Sequence, residues 1–261
     1  KTSTDSGTGI GTTSIGFIDL TSSNKNASAG VTTTIFSKNV DEIESAYIVS
    51  KVINSSTKEM NFVETYITHD GSDTYISEYY VDAGGSLNNR IGLSTVSIEN
   101  NNLIFSYENN TSNSIKVSSK VVGFGTTALG NGQYRYLVDG QNSGDERTAK
   151  YEASFKVGVG TTAIFSGYPL TFDAIKCNVE VSAGSSKALH QITAIHDGTN
   201  AYLQQSQFLA NNYDSILGLG TFSATYTASN FVVNFHPEDT TGITTIKTFN
   251  QVRNSVFYKT I

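Results

Sequence analysis

Tryptophan is absent from this chain of 261 residues, methionine and cysteine occur once each, and proline occurs twice. A single cysteine, Cys177, cannot close an internal disulfide, so the fold must stand without covalent staples. An isolated thiol among apolar neighbours reads as a small core residue. Charged residues make up only 15%, with a net charge of −6, so polarity rests on Ser, Thr, Asn and Gly more than on charge. The missing basic field argues against nucleic-acid binding. No run of 18 apolar residues occurs, so no membrane-spanning helix is expected. The opening Lys1-Thr2-Ser3-Thr4-Asp5 has no initiator Met and no apolar h-region. That is the opening expected of a processed chain or of a piece of a longer one.

What is present points to strands. β-Branched residues, 14 Tyr and 14 Phe dominate the apolar set, and such side chains fit a pleated, half-buried surface. The length allows one or two domains, each with a real core. Self-similarity decides between them. "AYIVSKVINSSTKEMNFVETYITHDGSDTYI" (46–76) sets beside "AIKCNVEVSAGSSKALHQITAIHDGTNAYL" (174–203), with His69-Asp70-Gly71 on His196-Asp197-Gly198 and Tyr75 on Tyr202. "TTTIFS" (32–37) matches "TTAIFS" (161–166), and "IGLSTVSIENNNLIFSY" (91–107) parallels "LGLGTFSATYTASNFVVNF" (217–235). Ser114-Ile115-Lys116 matches Thr245-Ile246-Lys247. The order holds throughout, which implies a tandem duplication of roughly 125 residues. The domains are therefore 1–122, a first β-sandwich copy, and 123–261, a second copy carrying an inserted hairpin at about 132–155. Seven or eight short strands per copy, separated by regular turn signals, predict an all-β fold of two tandem antiparallel β-sandwiches of jelly-roll-like type. The hairpin signals are Asp70-Gly71, Asn100 to Asn102, Gly184-Ser185, Asp197-Gly198 and Ser229-Asn230. The one helix-like stretch, 39–46, and its counterpart 168–174 with Pro169, read as loops or a short turn.

"GIGTTS" (9–14), "GFGTTA" (123–128) and "GVGTTA" (158–163) look like dinucleotide-binding turns. Such a turn needs a strand before it and a helix N-terminus after it. Each of these runs on into β-branched residues or further Gly, so none opens a helix, and no Gly-Lys-Ser/Thr follows to make a P-loop. They read instead as strand punctuation, Gly supplying positive φ or a bulge where a strand begins. Gly30 and Gly242, each two residues before Thr-Thr, repeat the device.

His-Asp-Gly, present twice, raises a metal-ligand or acid–base reading, against which stands a hairpin turn between two alternating strands. The turn is preferred. His190 and His236 have no His counterpart in the first copy, and there is no Gly-x-Ser-x-Gly. The carboxylate groups Asp41-Glu42-Glu44, Asp145-Glu146 and Glu238-Asp239 match no Ca²⁺-loop spacing and read as solvated charge. No catalytic, cofactor-binding or metal-ligating residue is nominated. Residues 1–122 carry 8 Lys/Arg against 13 Asp/Glu, and 123–261 carry 9 against 10. In "SEYYV", Tyr79 and Tyr80 fall on opposite strand faces, so one faces outward where it could meet a sugar. The polar tip of the inserted hairpin, Gly140 to Arg147, is expected to project.

"VVGFGTTALGNGQYRYLVDGQNSGDERTAKYEASF", "KVGVGTTAIFSGYPLTFDAIKCNVEVSAGSSKALHQITAIHDGTNAYLQQSQFLANN" and "GIGTTSIGFIDLTSSN" resemble segments of virion structural proteins of marine T4-like cyanophages, which are long, β-rich and repeat Gly-x-Gly-Thr-Thr units. The resemblance covers most of the chain and is stronger in the second copy. It implies a structural role in tail, baseplate, neck or fibre, on the virion as an extracellular particle, and carries no catalytic residue with it. The expected function is a non-enzymatic virion structural protein of a tailed phage. Its partners would be other virion proteins and copies of itself, with no nucleic acid, no membrane insertion and no cofactor. Two alternatives are a host-surface polysaccharide recognition module and a bacterial extracellular filament or surface-layer subunit. An enzyme would need two carboxylates facing across a groove at roughly 5–10 Å.

Overall fold

A computed structural model describes residues 18–82, 90–126, 133–136, 148–158, 160–167, 172–211, 219–227, 230–238 and 244–254. All regular structure in them is strand, as a composition rich in β-branched and aromatic residues dictates. The first eight strands are β1 (Ile18–Ala27), β2 (Thr32–Asn39), β3 (Ile43–Asn54), β4 (Met60–His69), β5 (Thr74–Asp82), β6 (Leu93–Glu99), β7 (Asn102–Glu108) and β8 (Ile115–Gly125). Next come β9 (Gln133–Tyr136), β10 (Thr148–Val157), β11 (Thr162–Gly167), β12 (Phe172–Ala183) and β13 (Ser186–His196). The last four are β14 (Ala201–Ala210), β15 (Gly220–Tyr226), β16 (Phe231–Pro237) and β17 (Thr244–Asn254). The chain forms two compact units, and the first ends at Thr126. That is four residues later than the repeat suggests. β8 continues pairing through Gly125, opposite Ile43, and the Thr126 amide and hydroxyl are held by the Glu42 and Asp41 carbonyls.

In the first unit a five-stranded sheet runs β1-β8-β3-β4-β5 and a three-stranded one runs β2-β7-β6. In the second the sheets run β10-β17-β12-β13-β14, with β9 added outside β10, and β11-β16-β15. Strand for strand the order is the same, and every pairing is antiparallel. Two bulges coincide too. One lies at Thr34/Phe36 and again at Ala163/Phe165, the other at Ile43/Ser45 and again at Phe172/Ala174. A third, at Gln191/Ile192 between β13 and β14, has no counterpart between β4 and β5. A bulge re-aims a strand at a defined place, so a shared pair of bulges fixes the same bend in both units. β9 is one arm of the inserted hairpin and pairs Gln133–Tyr136 onto Ser154–Tyr151. The tip, Gly140 to Arg147, lies outside the described residues, as do Ala83-Gly84-Gly85, Asn88-Asn89, Pro169 and Gly9 to Ser14.

Each unit has one core filled from both of its sheets. In the first, Phe36 of β2 and Leu103, Phe105 and Tyr107 of β7 pack with Ile48 and Val52 of β3 and Val117 of β8. In the second, Phe165, Phe231, Val233 and Phe235 pack with Cys177, Val179, Val181 and Ile246. Full burial of such side chains is worth about 1.5–3 kcal/mol each. Period-two alternation puts the remaining residues of the larger sheets on the opposite, outer face.

Turn chemistry follows the sequence. Asn100 and Asn101 both have positive φ (49° and 62°), as a two-residue type I′ hairpin between β6 and β7 requires. Gly30 (φ 71°) and Gly160 (φ 107°) sit just before β2 and β11, the punctuation expected of them. Gly123 and Gly125 differ: they close β8 rather than open a strand, with Phe124 buried between them. The 39–46 stretch is a turn at Val40–Glu42 leading straight into β3.

Register corrects the alignment of the two copies. Ile67 and Ala194 each stand two residues before the repeated His, and they pair with Ala46 and Ile175. The counterpart of Ala46 is therefore Ile175, not Ala174. A one-residue slip exchanges the faces of a strand, so this residue decides which side chains of β12 are core. By the same ladder Val117, not Ile115, is the counterpart of Ile246, because Val52–Val117 and Val181–Ile246 are equivalent pairs.

Cys177 is fully enclosed and donates to Asn250 Oδ1 at 2.7 Å. Burial pushes its thiol pKa far up. The native protein is therefore expected to react with a thiol reagent such as DTNB only on the timescale of opening of the second unit, and at once in denaturant.

Candidate functional site

The two His-Asp-Gly sequences close the β4–β5 and β13–β14 hairpins by one device. The loop has four residues, since His69 pairs with Thr74 and His196 with Ala201. Asp70 Oδ1 accepts the amides of Ser72 (2.9 Å) and Asp73 (2.8 Å), and its Oδ2 accepts the Tyr75 hydroxyl at 2.9 Å. Asp197 does the same with Thr199, Asn200 and Tyr202. Gly71 and Gly198 supply the positive φ (101° and 92°). The Asp-x-x-x-x-Tyr spacing is thus a loop clasp, and the expected turn holds, lengthened from two residues to four. His69 donates from Nε2 to the Ile43 carbonyl at 2.7 Å and accepts the Gly71 amide at Nδ1. Both ring nitrogens are committed to the fold.

The two backbone amides and the tyrosine hydroxyl hold the Asp70 carboxyl down at about 2. A carboxylate with a depressed folded pKa contributes stability above its ordinary unfolded value, and that contribution is lost as pH falls through the folded value. The clasp is therefore expected to be intact above about pH 4 and to release as pH falls through about 2. An NMR titration following the Ser72 and Asp73 amides checks this. Asp70→Asn should abolish the titration while leaving the Asp197 loop unchanged.

The other histidines and carboxylates weighed in the sequence do not converge. Asp41 accepts from Asn101 Nδ2 at 3.0 Å in an exposed turn, and Glu44 lies within β3. Glu238 follows β16, while Asp145-Glu146 and Asp239 lie outside the described residues. His190 is fully buried, with Nδ1 3.0 Å from Gln205 Nε2 and its ring edge-on to Phe222. His236 lies between Ser223 Oγ (2.7 Å from Nε2) and Thr161 Oγ1 (2.9 Å from Nδ1). A serine–histidine contact suggests a nucleophile and its base, but a triad orients the ring with a carboxylate, and here a hydroxyl takes that place. Among the described residues no three His, Cys, Asp or Glu groups gather as a metal site would need.

What the structure does bring together is the outer face of the first unit's five-stranded sheet. The ladder sets Phe62, Lys51, Ser118 and Asn24 side by side across β4, β3, β8 and β1. The adjacent row is Tyr79, Glu64, Val49, Lys120 and Ser22. A shallow groove of about 410 Å³ runs over these rows, floored by Val49 and flanked by Lys51, Lys120 and Phe62. Phe62 is 40% exposed and Tyr79 54% exposed, high values for ring side chains on a regular sheet. Tyr80, on the opposite face, packs against the core. The Lys51 ammonium lies over the Phe62 ring, 5.9 Å from its centroid. Among the described residues neither Lys51 nor Lys120 has a carboxylate within ion-pair distance. At the far end of the same face, beyond Glu64 and Val49, the rings of Tyr47 and Tyr66 meet at 4.9 Å and are buried. Burial pushes the Tyr66 hydroxyl pKa well up.

The second unit turns the same face to the opposite use. The corrected register makes Glu180, Lys247 and Leu189 the counterparts of Lys51, Ser118 and Phe62, and Glu152 the counterpart of Ser22. All four are at most 2% exposed. Lys247 Nζ meets Glu180 Oε1 at 3.1 Å, so these two buried charges offset each other. At these positions one framework thus carries an open, cation-bearing patch in one unit and a buried ion pair in the other, while further along β12 and β13 the second unit's outer face opens at half-buried Lys176 and exposed Thr193 and Ile195.

Sequence reasoning anticipated the outward tyrosine but not this site. Its parts come from four strands scattered between Ser22 and Lys120, and no spacing along the chain links them. No known protein family, curated protein or solved structure matches the chain.

Proposed function

We propose that the chain is a non-enzymatic structural protein of a tailed-phage particle, assembling with other virion proteins and with copies of itself through sandwich edges and loops. The observation that supports this most is the repetition of one eight-strand framework with two shared bulges, while the chemistry of its outer face changes between units. A framework repeated for its shape, with surfaces free to diverge, suits a building block of a symmetric array. The resemblance of the Gly-x-Gly-Thr-Thr segments to cyanophage virion proteins supports the same reading. Cryo-electron microscopy of the native particle tests it. Symmetric copies packed along a tail, neck or baseplate are expected. Absence of the chain from purified particles, or its presence in a bacterial surface filament, would contradict it.

A second reading, recognition of host-surface polysaccharide, is favoured by the exposed Phe62 and Tyr79 beside Lys51 and Lys120. The same images separate the two. Copies at exposed distal tips with few subunit contacts favour recognition.

A further inference from the structure

Building on the recognition reading, the geometry points to the Lys51–Lys120 groove of the first unit as a binding site for an acidic polysaccharide, a chain of pyranose rings bearing carboxylate or sulfate groups. Three features of the face select that class. First, two aromatic rings stand exposed on adjacent rows, Phe62 on β4 and Tyr79 on β5. A pyranose presents a flat face of C–H groups to such a ring, and rings are the side chains that gain most from contact area. Second, two ammonium groups lie diagonally across the β3–β8 pair, Lys51 opposite Ser118 and Lys120 two residues further on. Diagonal neighbours in a sheet are about 7–8 Å apart. The two lysines leave one face from neighbouring positions, so a single anionic group lying between them can meet both, and neither has a carboxylate partner among the described residues. Third, Ser22, Asn24 and Ser118 line the groove, offering hydroxyl and amide groups that exchange hydrogen bonds with sugar hydroxyls in either direction.

The comparison within the chain shows that these charges are not a requirement of the fold. The second unit builds the same sheet with Glu180, Leu189 and Lys247 at the matching positions, and there Lys247 is ion-paired with Glu180 and enclosed. The net charge of −6 also means that general cationic stickiness is not available to the chain. Attraction of a polyanion must come from a local patch. Glu64, at the rim between Val49 and Tyr79, is the one carboxylate facing that row, and it favours ligands whose acidic groups sit toward β8 rather than β5.

The test uses the full chain with three oligosaccharide probes and one peptide: an oligogalacturonate, a sulfated galactan fragment, a neutral laminari-oligosaccharide and an octaglutamate. Affinity is read by calorimetry at 50 and 300 mM NaCl. The acidic sugars are expected to bind, to weaken at the higher salt, and to lose at least tenfold in affinity in Lys51→Gln/Lys120→Gln. Phe62→Ala should weaken them as well. Lys58→Gln, which removes a lysine on the β3–β4 turn away from the groove, should leave binding as it is. Lys58, Phe62 and Lys120 are exposed and Lys51 is half-buried, and circular dichroism and the unfolding midpoint confirm that the variants fold. Acidic-sugar binding that survives the double substitution would place the ligand elsewhere and overturn the site. Equal binding of octaglutamate would show that charge alone is read and would overturn the sugar. Binding of the neutral probe only, lost in Phe62→Ala, would overturn the acidic class while leaving the recognition reading standing. Failure of all three sugars would overturn both.

Discussion

Lys247→Met is expected to destabilise the second unit by about 3–5 kcal/mol, because it strips the ammonium from a carboxylate that has no access to water. Glu180 and Lys247 are 1% and 2% exposed and lie directly opposite each other on β12 and β17, 3.1 Å apart. Both charges were desolvated to build the unit, and their mutual attraction contributes to offsetting that cost. The change should appear as hydrogen exchange faster by two to three powers of ten at the slowest amides of β12 and β17, where exchange reports opening of the packed unit. Glu180→Leu/Lys247→Met should recover most of the loss, since replacing a whole buried pair by apolar groups is often neutral or stabilising. The first unit supplies a precedent: at the same two positions it carries Lys51 and Ser118, so the framework tolerates the absence of the pair. A loss under about 1 kcal/mol for Lys247→Met would mean that the pair is solvated, as exposed pairs are.

Phe105→Ala is expected to cost the first unit about 3–5 kcal/mol by opening a cavity at the centre of its core. Phe105 is fully buried on β7, meets the Tyr107 ring edge-on at 5.6 Å and 87°, and belongs to the cluster that joins the two sheets of that unit. Amides in β3, β4, β7 and β8 should exchange faster by two to three powers of ten. Those in β12 and β17 should not respond, because the second core is a separate cluster built from other residues. Equal acceleration in both units would show that the two cores open together.

Much of this architecture was legible in the chain before any coordinates. Alternating Met60, Phe62 and Tyr66 announced β4, Asn100-Asn101 announced a tight hairpin, and the repeated His-Asp-Gly announced two equivalent turns. Local chemistry governs each of these. The register of β12 was not legible, because "AYIVS" and "AIKCN" can be slid by one residue without loss of match. Only the ladder fixed by His69 and His196 settles it. That slip matters more than its size suggests. With Ala46 set on Ala174, Lys51 would fall on Val179, and the exchange of a half-buried lysine for the fully buried Glu180 would be hidden. The difference between an open and a closed outer face also has no local signature. Lys51 and Lys247 read alike as surface charge, and composition gives no reason to enclose one of them. The clasp of Asp70 by Tyr75 was visible as a repeated spacing, but its role needed the hydroxyl contact.

A single framework carries an open cationic patch at Lys51 and Lys120 in its first unit and a buried Glu180–Lys247 pair at the matching place in its second. Lysine-by-lysine acylation of the native protein, read by peptide mass spectrometry, tests it directly. Lys120 should be modified within the time taken by exposed lysines such as Lys58, and half-buried Lys51 somewhat later, while Lys247 should stay unmodified until the second unit opens. Modification of Lys247 at the rate of Lys51 would show that its face is open, and the distinction between the two units would fall.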